Sequence, residues 1–266
     1  MRAALLVLMS LAATQTAHAQ ATEDEWRVSV GAGALYAPSY EGDDDYRLSL
    51  LPSVEVAYGS RFRASVENGA RYALIDGDRL RAGPIGRIRF AREEDGSGTF
   101  AVGGDDTNDL RGLGDVDTSI ELGGFAEYAL GPIVLSAEVR QAVSGHDGAA
   151  ADIAARWSAR EQLFGAPLIW SVGPRARFVD DRFSRAYFGV DAAQSAASGL
   201  AVYDPSGGLY AYGVGASAIM MIGADWSMVL IAGYDRLTGD AADSSLVRDR
   251  GSPDQAAIGL FFTRRL

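Results

Sequence analysis

The chain has no cysteine, so no disulfide framework is available to it even in an oxidising compartment. Stability then has to come from paired backbone and from packing. Lysine is absent too: all 24 basic residues are arginine, a bias that a GC-rich coding sequence explains without appeal to arginine chemistry. Histidine occurs only at His18 and His146, which leaves little from which to build an acid–base pair. No later stretch approaches the ~18 consecutive apolar residues of a membrane helix. Val214 to Gly223 comes nearest, and Gly215 interrupts it. Against the arginines stand 35 acidic residues, and the net charge of -11 argues against nucleic acid as a partner.

What is present begins with an export signal. Arg2 supplies a positive start, Ala3 to Ala13 an apolar run, and Ala17-His18-Ala19 a small-x-small cleavage site. Residues 1–19 are therefore expected to be a signal peptide, and residues 20–266 to form one β-rich domain. The mature part is rich in glycine, with 32 residues in the chain, alongside 4 Trp and 11 Tyr. Tight turns and interfacial aromatics suit that mixture.

The dominant period is two. From Trp26, one face carries Val28, Val30, Ala32, Ala34 and Tyr36 while the other carries Arg27, Ser29, Gly31 and Gly33. Leu80, Ala82, Ile88 and Phe90 alternate with Arg79, Arg81, Arg87 and Arg89. A helix would scatter those four arginines, whereas a strand puts all of them on one side. Phe62 to Leu74 reads as one such strand, with Arg61, Arg63, Glu67 and Arg71 on its polar side. Further runs at Arg47–Tyr58, Ile120–Leu130, Ile133–Val143, Asp152–Arg160, Leu168–Val179, Leu209–Ile222, Trp226–Leu237 and Ala256–Thr263, with a short piece at Tyr187–Val190, bring the count to about twelve. Ten remains the alternative if the pieces at Arg47 or Tyr187 are loop.

Even-numbered strands of about ten residues fit an all-β, antiparallel, up-and-down transmembrane β-barrel. Aromatics gather at strand ends (Trp26, Tyr36, Tyr46, Tyr58, Tyr128, Trp226 and Tyr234), where interfacial girdles belong. The polar parity would face the lumen. Its arginines, with Arg175 and Arg177, would share that interior with Glu67, Glu121, Glu127 and Glu138. Such an interior is either a cation-walled pore or a lumen closed by arginine–carboxylate pairs, and a width of about twelve strands favours a plugged or narrow one.

Motifs in the loops add a family resemblance. Tyr36-Ala37-Pro38-Ser39-Tyr40-Glu41-Gly42 follows the first strand. Leu110-Arg111-Gly112-Leu113-Gly114-Asp115-Val116-Asp117 leads into Glu121-Leu122-Gly123-Gly124-Phe125. Tyr187-Phe188-Gly189-Val190 precedes Gln194-Ser195, and Tyr234-Asp235-Arg236-Leu237 precedes Gly239-Asp240-Ala241-Ala242-Asp243-Ser244. Taken in this order, the chain resembles the MipA/OmpV family of outer-membrane proteins from Trp26 to its last strand. The resemblance implies an outer-membrane barrel in contact with lipid. The family's name-giving member is a scaffold that holds a lytic transglycosylase near a bifunctional murein synthase. Other members are described in adhesion, osmotic response or permeability. Family members tend to end on an aromatic residue, whereas this chain ends on Leu266.

Candidate chemistry is sparse. Ser144 and His146 stand two apart on a glycine-flanked turn, a spacing that gives no nucleophile–base geometry, and a polar hairpin turn explains them. Asp43 to Asp45, with Asp105, Asp106, Asp109, Asp115 and Asp117, could ligate a hard cation, but the spacing matches no calcium loop and solvated charge is the simpler account. Gly112-Leu113-Gly114 lacks the strand–loop–helix setting of a phosphate cradle, so its glycines are read as turn geometry. No cofactor and no catalytic residue is expected. The sequence thus supports a non-enzymatic scaffold, with a narrow anion-favouring channel as the alternative. Counting strands back from a periplasmic C-terminus puts Gly239–Asp254 outside and Ala91–Asp117 on the periplasmic side.

Overall fold

Alternating side chains form long strands here because one face of each can be buried while the other meets an apolar surround. The computed structural model describes residues 25–96, 100–104 and 107–266, so the expected signal peptide, Asp105 and Asp106 lie outside the described residues. In chain order the strands are β1 (Trp26–Pro38), β2 (Tyr46–Tyr58), β3 (Phe62–Ser65), β4 (Gly69–Tyr72), β5 (Ile75–Asp76), β6 (Leu80–Arg89), β7 (Ala101–Gly104), β8 (Ser119–Leu130), β9 (Ile133–Ala142), β10 (Ala149–Leu163) and β11 (Ala166–Val179). Helices α1 (Asp181–Phe188) and α2 (Ala192–Ser198) precede β12 (Gly208–Ile222) and β13 (Trp226–Leu237). Helices α3 (Gly239–Ala242) and α4 (Ser245–Arg250) precede β14 (Asp254–Arg265).

Pairing is antiparallel throughout, and β1 bonds to both β2 and β14, so the sheet closes on itself. Twelve strands make the wall. β5 continues β4 as a second partner of β6, and β7 adds to the rim end of β2. Outward positions are apolar, as Ile120, Leu122 and Tyr128 on β8 and Ile258, Leu260 and Phe262 on β14 show. Aromatics form a row at each end. Trp26 packs on Tyr58 at 4.8 Å near one rim, and Tyr36 on Tyr46 at 5.3 Å near the other. The chain is a membrane β-barrel. Among the described residues no helix is long and apolar enough to cross a membrane.

The total of twelve is the expected one, but two of its members differ from the expectation. Phe62 to Leu74 is not one strand. It is the β3–β4 hairpin, pairing Phe62 with Tyr72 and Ala64 with Ala70. Tyr187–Val190 is not a wall strand: Tyr187 and Phe188 close α1, and Val190 makes an isolated bridge to Tyr203. The two differences cancel in the count but not in the topology. All long connections (39–45, 90–118, 143–148, 180–207 and 238–253) lie at one rim, while the other carries short turns and the ends of β1 and β14. Ala91–Asp117 therefore shares a rim with Gly239–Asp254, a correction to the strand count read from periodicity.

Candidate functional site

The lumen is crossed by a lattice of arginines and carboxylates donated by neighbouring strands. Arg140 on β9 sits at its centre, 2.9 Å from Glu121, 2.6 Å from Glu138 and 2.6 Å from Asp152. Arg89 reaches Glu121 at 2.7 Å, Arg87 reaches Glu138 at 3.1 Å, and Arg71 joins Glu138 to Glu127. Arg156 lies 3.7 Å from Glu127. On the far side Arg175 grips Asp235 with two hydrogen bonds of 2.7 and 2.8 Å, and Arg177 links Asp235 to Asp152. The Arg175–Asp235 pair passes over Gly213 of β12, where a Cβ would meet the Asp235 carboxylate at 2.3 Å. Isolated charges here would be costly, but each is answered by at least one opposite charge, and the Arg175–Asp235 pair has fork geometry. Beside the lattice the cavity volume is about 30 Å³, room for about one water.

Not every expected lumen residue joins the lattice. Arg63 lies 4.0 Å from Glu55 and, with Glu67, lines a cavity of about 250 Å³ nearer the short-turn rim. The opposite wall of that cavity is apolar: Ile169, Ile219, Ile231 and Phe261. Arg81 pairs with Asp76 at 2.9 Å. Arg61 and Arg79 are exposed in short turns, off the lumen wall.

Above the lattice the long connections fold into a cap. α1 starts at Asp180, whose carboxylate accepts the amide of Phe183, and α2 at Asp191, which forms a capping box with Gln194. Phe183, Tyr187 and Phe188 are buried with Tyr210, and the Arg89 guanidinium lies 4.8 Å from the Phe183 ring centre. Burial of the Tyr187 phenol pushes its pKa up to about 12. A second cluster joins Tyr40, Leu110, Leu113, Val190, Leu200 and Leu246, drawn from four loops.

The residues that carry the family resemblance meet in this cap. Glu94 accepts the amides of Gly112 and Gly114 at 2.7 and 3.1 Å, and Asp115 accepts that of Glu94. Gln194 donates to the Leu113 carbonyl, Asp240 accepts the Ser206 amide, and Gly42 donates to Gln255. Glu41 turns inward and takes the Tyr210 hydroxyl at 3.3 Å. Burial pushes its pKa up, against the lowering fields of Arg89 and Arg177. Tyr234 and Arg236 bond Asp254 on the outer face. Asp243 ends α3, and Asp117 precedes β8.

His146 is buried rather than exposed on a polar turn. Its Nδ1 accepts the Gly148 amide at 3.0 Å, so the ring proton faces Glu121, 3.4 Å from Nε2. Ser144 Oγ instead accepts the Ile120 amide. The histidine closes the top of the lattice. Sequence periodicity missed three features: the helical cap, the inward Glu41, and Asp152 and Asp235 as lattice anions. The Asp191–Gln194 spacing was a readable helix start.

The family model described as MltA-interacting protein MipA matches residues 30–266. No curated protein matches the chain. Among solved structures, OprD of Pseudomonas aeruginosa is 12% identical, with a TM-score of 0.37 over 90% of this chain, which spans only 66% of the length of OprD. The outer membrane channel DcaP of Acinetobacter baumannii is 10% identical, with a TM-score of 0.37 over 91% of this chain and 97% of its own. The CymD monoaromatic hydrocarbon channel is 10% identical, with a TM-score of 0.32 over 93% and 90%.

Proposed function

This chain belongs to the MipA family, and from that premise we propose that it acts as an outer-membrane adaptor. It would hold a lytic transglycosylase beside a murein synthase, with no catalysis or transport of its own. The observation that carries this reading is the filled lumen: the Arg140-centred lattice and the cap above it leave the rims as the surfaces available for work. In outer-membrane barrels the short turns face the periplasm, where murein enzymes act.

One short turn stands out. The β10–β11 hairpin runs on after Trp157 pairs with Ile133 and Ser158 bonds Pro132, so residues 159–166 project beyond the β8–β9 turn. Its tip is Phe164-Gly165, with φ of 53° and 79°. Asn-Gly suits such a two-residue turn, whereas a phenylalanine there is strained by on the order of 1 kcal/mol. Phe164 is nonetheless 96% exposed. An aromatic kept at a strained, solvent-facing tip supports a contact made to a partner.

The test is cross-linking of tagged protein in intact cells, followed by identification of envelope enzymes. Wild type retains a lytic transglycosylase. Phe164→Asn keeps the fold, with a better turn, and retains less. Phe164→Trp, which preserves an interfacial anchor, tells a lipid contact from a protein contact. Recovery of no murein enzyme with wild type overturns the proposal. The rows of lumen arginine motivate a channel as the second reading, and single-channel recording on refolded protein decides it.

A further inference from the structure

The geometry points to a hard-cation site in the cap, formed by Asp43 and Asp44 of the β1–β2 connection and Asp109 of the β6–β8 connection, and suited to calcium. Each residue offers a carboxylate oxygen, and these oxygens lie within 4.8 Å of one another. Two oxygens bound to one calcium at 2.3–2.6 Å stand up to about 5 Å apart, so each pair is within the span of one ion, and a small closing of the loops brings all three onto it. The contributing loops are remote in sequence; of the eight aspartates that the sequence offers as hard-cation ligands, the fold brings these three together.

A second observation is independent of the clustering. Asp43 is fully buried, at 0% exposure. Its Oδ1 accepts the Asp45 amide at 3.1 Å, but among the described residues Oδ2 has no hydrogen-bond partner. A buried carboxylate oxygen left unanswered beside two further carboxylates is unfavourable, and a divalent cation removes both problems at once. Two arginines lie nearby and direct hydrogen bonds to carbonyls: Arg47, which feels the Asp43 charge, donates Nη2 to Ser39 at 2.6 Å and Nη1 to Gly96 at 3.0 Å, and Arg250 donates to Asp109 at 2.8 Å. Asp44 is exposed and Asp109 half-buried, which gives an ion a way in and leaves room for water to complete its shell. Calcium accepts such mixed, irregular oxygen shells, whereas magnesium keeps more of its water and demands octahedral order. The bound ion would staple the first connection of the barrel to the longest one.

Tyr40 adjoins Asp43 and Asp109 closely enough for both charges to act on its phenol, so it serves as a built-in antenna. Full-length refolded protein in non-ionic detergent, stripped with EDTA, is titrated with terbium under tyrosine excitation and then with calcium. The expected result is a saturable emission that calcium displaces, with affinity reduced tenfold or more by Asp44→Asn and by Asp109→Asn. Asp204→Asn, at an exposed acidic residue elsewhere, leaves it unchanged, and Tyr40→Phe dims the emission without altering calcium affinity measured by calorimetry. Heat-modifiable gel mobility checks that each variant is a folded barrel. Absence of saturable emission and of calorimetric heat in the wild type overturns the site. So does wild-type affinity in a folded Asp109→Asn protein.

Discussion

The lumen is closed in two different ways. Along the arc from β4 to β11, and across to Asp235 on β13, long charged side chains fill the interior by reaching one another. Along the arc from β12 through β14 to β2, the inward charges are few, Asp235 and Glu55 among them, and small or apolar side chains predominate. Leu35, Leu51, Ile231, Ala257 and Phe261 pack as a core, with Gly33 making room for the Phe261 ring. The charged arc holds by pairing and the apolar arc by volume. Near the short-turn rim the two arcs part, leaving the cavity between Arg63 and Glu67 on one side and Ile219 and Phe261 on the other. Damage to each arc should therefore read out differently.

The largest effect is expected from Arg140→Met, which removes the cation that Glu121, Glu138 and Asp152 share and leaves them to the arginines at the lattice edge. Breaking a buried pair from one side costs on the order of 3–5 kcal/mol, and urea unfolding of the refolded barrel measures it. Phe261→Ala should cost less, about 3 kcal/mol, at the low end for a buried phenylalanine, because the ring already borders a void and its loss enlarges an existing cavity. An unfolding midpoint that falls as far for Phe261→Ala as for Arg140→Met would erase the distinction between the arcs.

The smallest effect is local to the cap. Burial, reinforced by Asp45, Asp109 and Asp44, pushes the Asp43 pKa up to about 7, against the lowering hydrogen bond from the Asp45 amide. The folded cap thus holds the Asp43 proton more tightly than the unfolded chain, whose aspartates titrate near 3.9. Its contribution is complete below about pH 4 and is lost as pH rises towards and through 7. Hydrogen exchange at residues 39–45, corrected for intrinsic rates, should show easier opening at pH 8 than at pH 5. Asp43→Asn should flatten that trend, and so should calcium.

The barrel was legible in the sequence because a two-residue period survives any arrangement of strands. What periodicity could not see is where a strand turns back. Phe62 pairs with Tyr72 and Ala64 with Ala70, so alternation runs through the turn at Val66–Asn68 with its parity unbroken. The error at Tyr187 has the opposite origin. A short run of apolar residues looks alike in strand and helix, and only the caps at Asp180 and Asp191 distinguish them. On the long strands the polar parity includes Arg87, Glu121 and Glu138, which sit in the lattice. Asp43, Asp44 and Asp109 stood among eight aspartates the sequence offers as cation ligands, but which of them meet, like the inward turn of Glu41, depends on loop closure. The motifs that mark the family converge in the cap, which explains why they identify the fold more readily than a partner.

β7 gives the wall an unusual dependence. The β3–β4 hairpin pairs with β2 only up to Glu55, and above it β2 is joined by Ala101–Gly104 and by the Phe100 carbonyl bonding Leu50. A bare strand margin facing lipid would leave peptide groups with no water to satisfy them. The upper margin of β2 is therefore satisfied by a piece of the 90–118 connection and not by the next hairpin. Wall and cap thus share backbone hydrogen bonds, and a deletion that removes Phe100–Gly104 should lower the yield of folded barrel, read by heat-modifiable gel mobility, rather than merely uncover the mouth.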